Sequence, residues 1–424
     1  MQFLYPARLH WLLYALFFGL LLLLTPAAGH RFDVQFWESW ATYMNAHGLG
    51  NTYRLAHNNY NPLYQYVLYG YAKLAGSPQA ITAYIHCLKA FTLLFDFGGA
   101  ILAVRYFGWG DGNQRFILSL LFLLNVSYLY NTVAWEQVDA IVSTLSFVAL
   151  VQALRQRPVS SMVWLVLALN TKTQAIILLP PLLLLWVPQW WLAPRRLVQA
   201  VGIGAMVQGL LLLPFIWSGT MPLLIAVVRD AVDHYPYASM NCYNMWVFVL
   251  NDILVSDFQT YAGLTYKSWG LISFCVASAI ILLPLGLATL HKLRTRTLFG
   301  TANYSLALLS LGLLPLAFCF FNTQMHERYW HPALLLLGAH AVLVRRYALF
   351  GIVSLAYYLN LEAVLHYLGD FSHYPSLLFR PKLVATLFAA VLLMGTWQLY
   401  RMASPWAAWQ LLRQSQYRAS AEPS

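Results

Sequence analysis

Four ionisable side chains, His326, Glu327, Arg328 and His331, fall within ten residues, Asn322-Thr-Gln-Met-His-Glu-Arg-Tyr-Trp-His331, between apolar runs at 306–321 and 332–343. Charge beside hydrocarbon costs at least ~2.5 kcal/mol, so such groups pair with one another or serve a function. A hydrated loop in which Glu327 pairs with Arg328 would need no more than that. Other polar residues at the same expected depth argue for a site instead. Asp33 follows the first apolar run by a few residues and could serve as a general base toward a hydroxyl. Its alternative is an N-cap for an amphipathic helix starting near Phe36. Trp135-Glu-Gln-Val-Asp139 opens another apolar run, placing Gln137 and Asp139 at a helix end, where an acid also suits the helix dipole. Lys172, in Asn170-Thr-Lys-Thr-Gln174, either snorkels to the interface or meets an anionic ligand. Between Tyr235 and Trp246 the chain is rich in rings and amides, including Asn244. That composition suits a sugar, and it also describes an interfacial aromatic belt.

The elements that must position these residues are membrane spans. The chain has 424 residues, 60% of them hydrophobic and 9% charged, which with recurring apolar runs predicts an all-α polytopic membrane protein. Twelve spans are expected, near 11–28, 82–104, 115–131, 138–154, 160–170, 173–187, 197–217, 269–290, 301–321, 331–344, 347–366 and 383–400. Residues 1–400 read as one transmembrane body and 401–424 as a cytoplasmic tail. A cleaved signal peptide ending near Ala28 is rejected, because the first run is needed as a span. With the N-terminus inside, every short inner loop is basic, from Arg8 through Arg195-Arg196 and Lys292–Arg296 to Arg418, and Asp111 and Glu422 are the acids that join them. The net charge of +11 therefore reports topology and not a nucleic-acid partner.

Two long outer segments result, 29–81 and 218–268. Within the first, 36–46 and 63–74 read as helices lying in the interface, anchored by Trp37, Trp40, Tyr64 and Tyr66. The interruption at 170–174 reads as two short tilted spans meeting at the outer face. Cys87, Cys242, Cys275 and Cys319 show no metal or CxxC spacing and read as free thiols, with room for one outer disulfide. Asn125-Val-Ser and Asn303-Tyr-Ser fit the glycosylation pattern but lie in or beside apolar runs, which argues against their use.

Several motifs then occur in order: Asp33, Asn61-Pro-Leu-Tyr64, Trp135-Glu-Gln-Val-Asp139, Lys172-Thr-Gln-Ala-Ile-Ile-Leu-Leu-Pro180, Asn244-Met-Trp246 and Met325-His-Glu-Arg-Tyr329. Together they resemble the GT-C superfamily of integral-membrane glycosyltransferases that use polyprenyl-phosphate sugars, in particular bacterial relatives of the GPI mannosyltransferases and the N-glycan glucosyltransferases. The resemblance covers most of the chain. It implies a GT-C fold and inverting transfer of mannose or glucose from a polyprenyl-phosphate donor to a hydroxyl of a glycan, glycolipid or protein. The reaction would take place at the periplasmic face of a bacterial inner membrane. By resemblance Asp33 is the catalytic base, and His326, Glu327 and Arg328 lie near the donor phosphate with Lys172, Gln137 and Asp139. Asn244, Trp246 and Tyr64 are the expected sugar or acceptor contacts. Two departures stand out. Glu136 occupies a position where many relatives have Gly, and Asp33 lacks the acidic neighbour others carry, so neither metal nor cofactor is expected.

The main rival is a multi-pass transporter or flippase for a glycolipid or anionic substrate. Transporters often carry internal repeats and midplane breaks, whereas no repeat is visible here and the polar residues gather at one expected face. A non-catalytic scaffold would not need this placing of His, Arg and Asp.

Overall fold

A segment surrounded by hydrocarbon must satisfy its own backbone groups, and helix is the local solution. The structure, a computed structural model, describes residues 7–24, 29–230, 235–367 and 377–403. After α1 (Ala7–Leu24), the first long connection carries α2 (Arg31–His47) and α3 (Pro62–Ala75). A short α4 (Pro78–Tyr84) leads into α5 (Leu88–Phe107), then α6 (Gly112–Leu123), α7 (Val126–Val133), α8 (Asp139–Leu154) and α9 (Pro158–Thr171). The chain continues through α10 (Leu179–Leu192), α11 (Arg195–Trp217), α12 (Met221–Asp230), the one-turn α13 (Trp246–Val249) and α14 (Tyr266–Thr295). It closes with α15 (Tyr304–Phe321), α16 (His331–Val344), α17 (Ala348–Leu365) and α18 (Pro381–Ala403). A two-stranded hairpin pairs Thr260–Tyr261 with Leu264–Thr265 ahead of α14. Most of the expected tail, residues 404–424, and the end of the expected first span, 25–28, lie outside the described residues.

Each expected span falls on helix, but among the described residues seven helices, not twelve, are long and apolar enough to cross a bilayer: Pro78–Phe107, Thr173–Leu192, Arg195–Trp217, Tyr266–Thr295, Thr301–Phe321, Ala348–Leu365 and Pro381–Ala403. The expected span at 115–131 is a pair, α6 and α7, bent by 60°, which would raise the number to eight. The shortfall elsewhere has a pattern. Helix α8 begins at Asp139, α9 ends at Thr171 just before Lys172, and α16 begins at His331. At 14 to 16 residues each, these helices rise about 21–24 Å, short of the ~30 Å hydrocarbon core. Their ends are where the polar residues of the candidate site sit.

Burial sorts the helices. Helices α8, α15 and α16 are enclosed on nearly every face, whereas α11 and α14 expose apolar side chains such as Val198, Leu210, Leu271 and Val276. An apolar helix with an apolar outer face suits a lipid environment. The two interfacial helices differ from expectation. Helix α2 starts at Arg31, five residues before Phe36, so Asp33 lies inside its first turn; the N-cap position is His30, and no side chain caps it. Trp37, Trp40 and Tyr64 are also not lipid anchors. They are buried at about 2% exposure, packing with Val138, Ile141, Val142 and Leu145 around α8, while the partly buried Tyr66 donates to the Leu211 carbonyl at 3.0 Å. All four cysteines are free.

Candidate active site

Three helix ends and one short turn build the site. Asp33 projects from the first turn of α2, and its Oδ2 receives every contact it makes among the described residues. Gln137 Nε2 donates to it at 2.6 Å and Trp135 Nε1 at 3.4 Å. Arg328 Nη1 stands 3.6 Å away, and His30 Nδ1 is also 3.6 Å away. The side chain retains 20% exposure, so its second oxygen, Oδ1, is the edge left for another molecule. The capping alternative for Asp33 thus fails on geometry, because the carboxylate turns toward the Trp135–Gln137 turn and not toward its own helix.

Beside it, Asp139 at the start of α8 accepts from Lys172 Nζ at 2.5 Å and from Asn131 Nδ2 at 3.2 Å. Lys172 turns inward, with its ammonium 5.9 Å from the Tyr60 ring centre and 5.8 Å from that of Tyr329, which excludes snorkelling. Burial, only partly offset by Asp139, leaves the Lys172 ammonium below its ordinary pKa. Tyr60 also donates from its hydroxyl to Gln137 Oε1 at 3.1 Å, so one side chain braces both Lys172 and the amide that holds Asp33.

The junction after α15 is no hydrated loop. Residues Glu327–Trp330 form a buried 3₁₀ turn, in which Glu327 lies 3.5 Å from Arg328 Nη1 and 4.0 Å from His326 Nδ1. Burial pushes the Glu327 carboxyl up to about 7 despite the neighbouring Arg328. For Arg328, burial opposes the charge, but Asp33 and Glu327 outweigh it and hold the guanidinium above its ordinary value. Its Nε is buried without a hydrogen-bond partner among the described residues. His326 sits to one side, bridging by backbone to Asn241 and packing its ring edgewise on Tyr235 and Tyr329.

Asn244 and Trp246 serve a different purpose from the expected ligand contacts. The Asn244 amide donates to the carbonyls of Cys319 and Asn322, and its oxygen accepts from the Trp246 backbone. Trp246 Nε1 donates to the Asn322 carbonyl as well. Both are buried and fasten the second long connection to the end of α15. Tyr64 is buried too, and it lines an apolar groove of about 520 Å³ with Leu63, Val67, Phe91, Ile141, Trp164 and Thr171, among others. Two of the lining residues, Ile141 and Thr171, are close in sequence to Asp139 and Lys172.

Two features escaped the sequence reading. Tyr60 gave no signal beyond a polar stretch. Asp96 gave a clear one, as a lone acid within the apolar run of α5. It is fully buried, with His331 Nε2 3.9 Å from Oδ1 and the Thr132 hydroxyl alongside. Among the described residues no group of three His, Cys, Asp or Glu side chains could hold a metal ion.

Asp33, Gln137, Asp139, Lys172, Glu327 and Arg328 therefore converge, His326 borders them, Tyr64 lines an apolar groove, and Asn244 with Trp246 stands apart. The chain matches no family model and no curated protein, so what this cluster does must be argued from its geometry.

Proposed function

We propose that the protein is an inverting membrane glycosyltransferase of the GT-C type, moving a hexose from a polyprenyl-phosphate donor to an acceptor hydroxyl. The observation that carries the reading is the pairing at Asp33: four contacts on Oδ2, a free edge at Oδ1, and a guanidinium with an unpaired buried N–H alongside. In the reaction the acceptor oxygen bonds to the anomeric carbon from the face opposite the phosphate. Its proton passes to Asp33 Oδ1. The bond from the anomeric carbon to the phosphate oxygen breaks, and the electron pair stays on the prenyl phosphate. Arg328 and Lys172 offset the charge that gathers there, the form of stabilisation worth most in a site shielded from water. The apolar groove lined by Tyr64, Ile141 and Thr171 suits an isoprenoid tail, and its volume falls within the usual range for ligand sites.

In this reading all twelve helical segments belong to the membrane body, both termini are cytoplasmic, and Asp33 faces the periplasm. Reporter fusions at residues 50 and 240 and at the C-terminus test that orientation; an external C-terminus would overturn it. The catalytic test is Asp33→Asn, assayed with synthetic prenyl-phosphate mannose and prenyl-phosphate glucose plus host lipid extract. Loss of transfer with intact donor binding supports the base, and near wild-type transfer removes it. One observation favours the transporter reading: Asp96, a fully buried acid within a span, is a common mark of an ion or substrate path. Substrate movement in proteoliposomes that survives Asp33→Asn but not Asp96→Asn would establish that alternative.

A further inference from the structure

Across the Trp135–Asp139 turn from Asp33 lies a second charged group that the transfer chemistry does not use. Glu136 is buried, its Oε1 accepting from Lys89 Nζ at 3.0 Å and its Oε2 lying 2.8 Å from His86 Nδ1. Its backbone sits at φ 64°, in the left-handed region that glycine adopts freely and other residues rarely do. The residues on either side of it, Trp135 and Gln137, are the two whose side chains donate to Asp33. The strand of chain entering α2 rides on the same turn, with Gly29 N donating to the Ala134 carbonyl at 2.8 Å and His30 N to the Trp135 carbonyl at 3.3 Å. A Cβ on Gly29 would come within 3.2 Å of Glu136 Oε2, so the Gly29 backbone packs closely on the Glu136 carboxylate.

We propose that Glu136 is a positioning residue for Asp33. Its ion pair with Lys89 and its contact with the His86 ring hold the turn in a conformation its own side chain disfavours, and the turn aims Gln137 and Trp135 at Asp33 Oδ2. This rests on the reading of Asp33 as the base. A strained conformation persists where its surroundings over-determine it, and here the surroundings are the Lys89 ammonium in the first turn of α5 and the His86 ring just before it. Released from them, the backbone at 136 relaxes and carries both donors with it. Misplacement by about 1 Å costs on the order of 10² in rate even when the altered residue never touches substrate.

The test is a double-mutant cycle on the full chain, reading hexose transfer from the same prenyl-phosphate sugars. Glu136→Ala lowers kcat by about tenfold to a hundredfold with little change in donor KM. Gln137→Ala also lowers kcat, and because Glu136 acts through Gln137, the combined variant is hardly worse than the poorer single one. Glu136→Gly together with Lys89→Met restores most of the activity lost in Glu136→Ala, since glycine takes the turn unaided and no ammonium is stranded. If Glu136→Ala does not fold, the cycle is read in Glu136→Gln. Losses that multiply, a raised KM at unchanged kcat, or full activity of the Glu136 variants would overturn the proposal. Asp33→Asn run alongside separates the two ideas. If it is inactive while the losses multiply, only the positioning role falls; if it is active, both fall.

Discussion

Two charged clusters flank the Trp135–Asp139 turn, and they differ in how completely they are matched. On one side, each oxygen of Glu136 has a nitrogen partner, Lys89 Nζ for one and His86 Nδ1 for the other, and Glu136 and Lys89 are almost wholly enclosed. On the other, among the described residues, Asp33 keeps an oxygen without a hydrogen bond, Arg328 keeps an N–H without one, and two further charges, Asp139 and Lys172, lie alongside. A saturated ion pair gains nothing from another molecule. An unsaturated one leaves polar groups whose desolvation is unrepaid until something binds. The sequence distance between the two is one residue, from Glu136 to Gln137, so function and support are separated by the direction of a side chain and not by position along the chain.

The largest expected effect would sharpen this contrast. Asp33→Asn should reduce turnover by about a hundredfold or more while leaving donor binding and the melting temperature nearly unchanged. Wild-type turnover in the purified variant would erase the distinction between the clusters. In the closed cluster the effect should fall on stability. Lys89→Met strands a buried carboxylate and should destabilise by about 3–5 kcal/mol, with most of that recovered by adding Glu136→Gln; equilibrium unfolding in detergent measures both. Arg328→Ala removes charge-assisted bonds and should weaken prenyl-phosphate binding by roughly tenfold to a hundredfold, read by titration calorimetry. Unchanged affinity would make Arg328 as structural as Lys89.

A smaller effect concerns pH. Glu327 rises from an ordinary 4.5 to about 7 in the folded protein, so between those values the folded state holds a proton that the unfolded state has released. Its contribution is present below about pH 4.5 and is lost as pH rises through about 7. Thermal unfolding across that window should show a downward slope that Glu327→Gln flattens; an unchanged slope would assign it to another group. The smallest change is expected at Asn244→Ala. It breaks the tie to Cys319 and Asn322 and should cost about 1–3 kcal/mol, with donor affinity untouched. A loss of affinity there would return Asn244 to the ligand-binding set.

Parts of this arrangement were legible in the sequence for a simple energetic reason. Charges bordering apolar runs are costly, so Lys172, His326, Glu327 and Arg328 announced themselves, and helix type followed from the apolar runs. Asp96 was equally visible by that rule and was passed over. The expected anchors Trp37, Trp40 and Tyr64 misled because an aromatic residue on an amphipathic helix suits either a lipid interface or a protein core, and local spacing does not distinguish the two.

By itself, then, the sequence determined the helical class, the location of the breaks and the side chains too polar to lie idle there, since each depends on local composition and on the cost of burying charge. Only the tertiary structure decided partnership. Gln137 reaches Asp33 across 104 positions and Lys172 reaches Asp139 across 33, and such pairings are set by which helix ends meet when the bundle packs. The same packing spends Asn244 and Trp246 on backbone carbonyls and leaves one edge of Asp33 open.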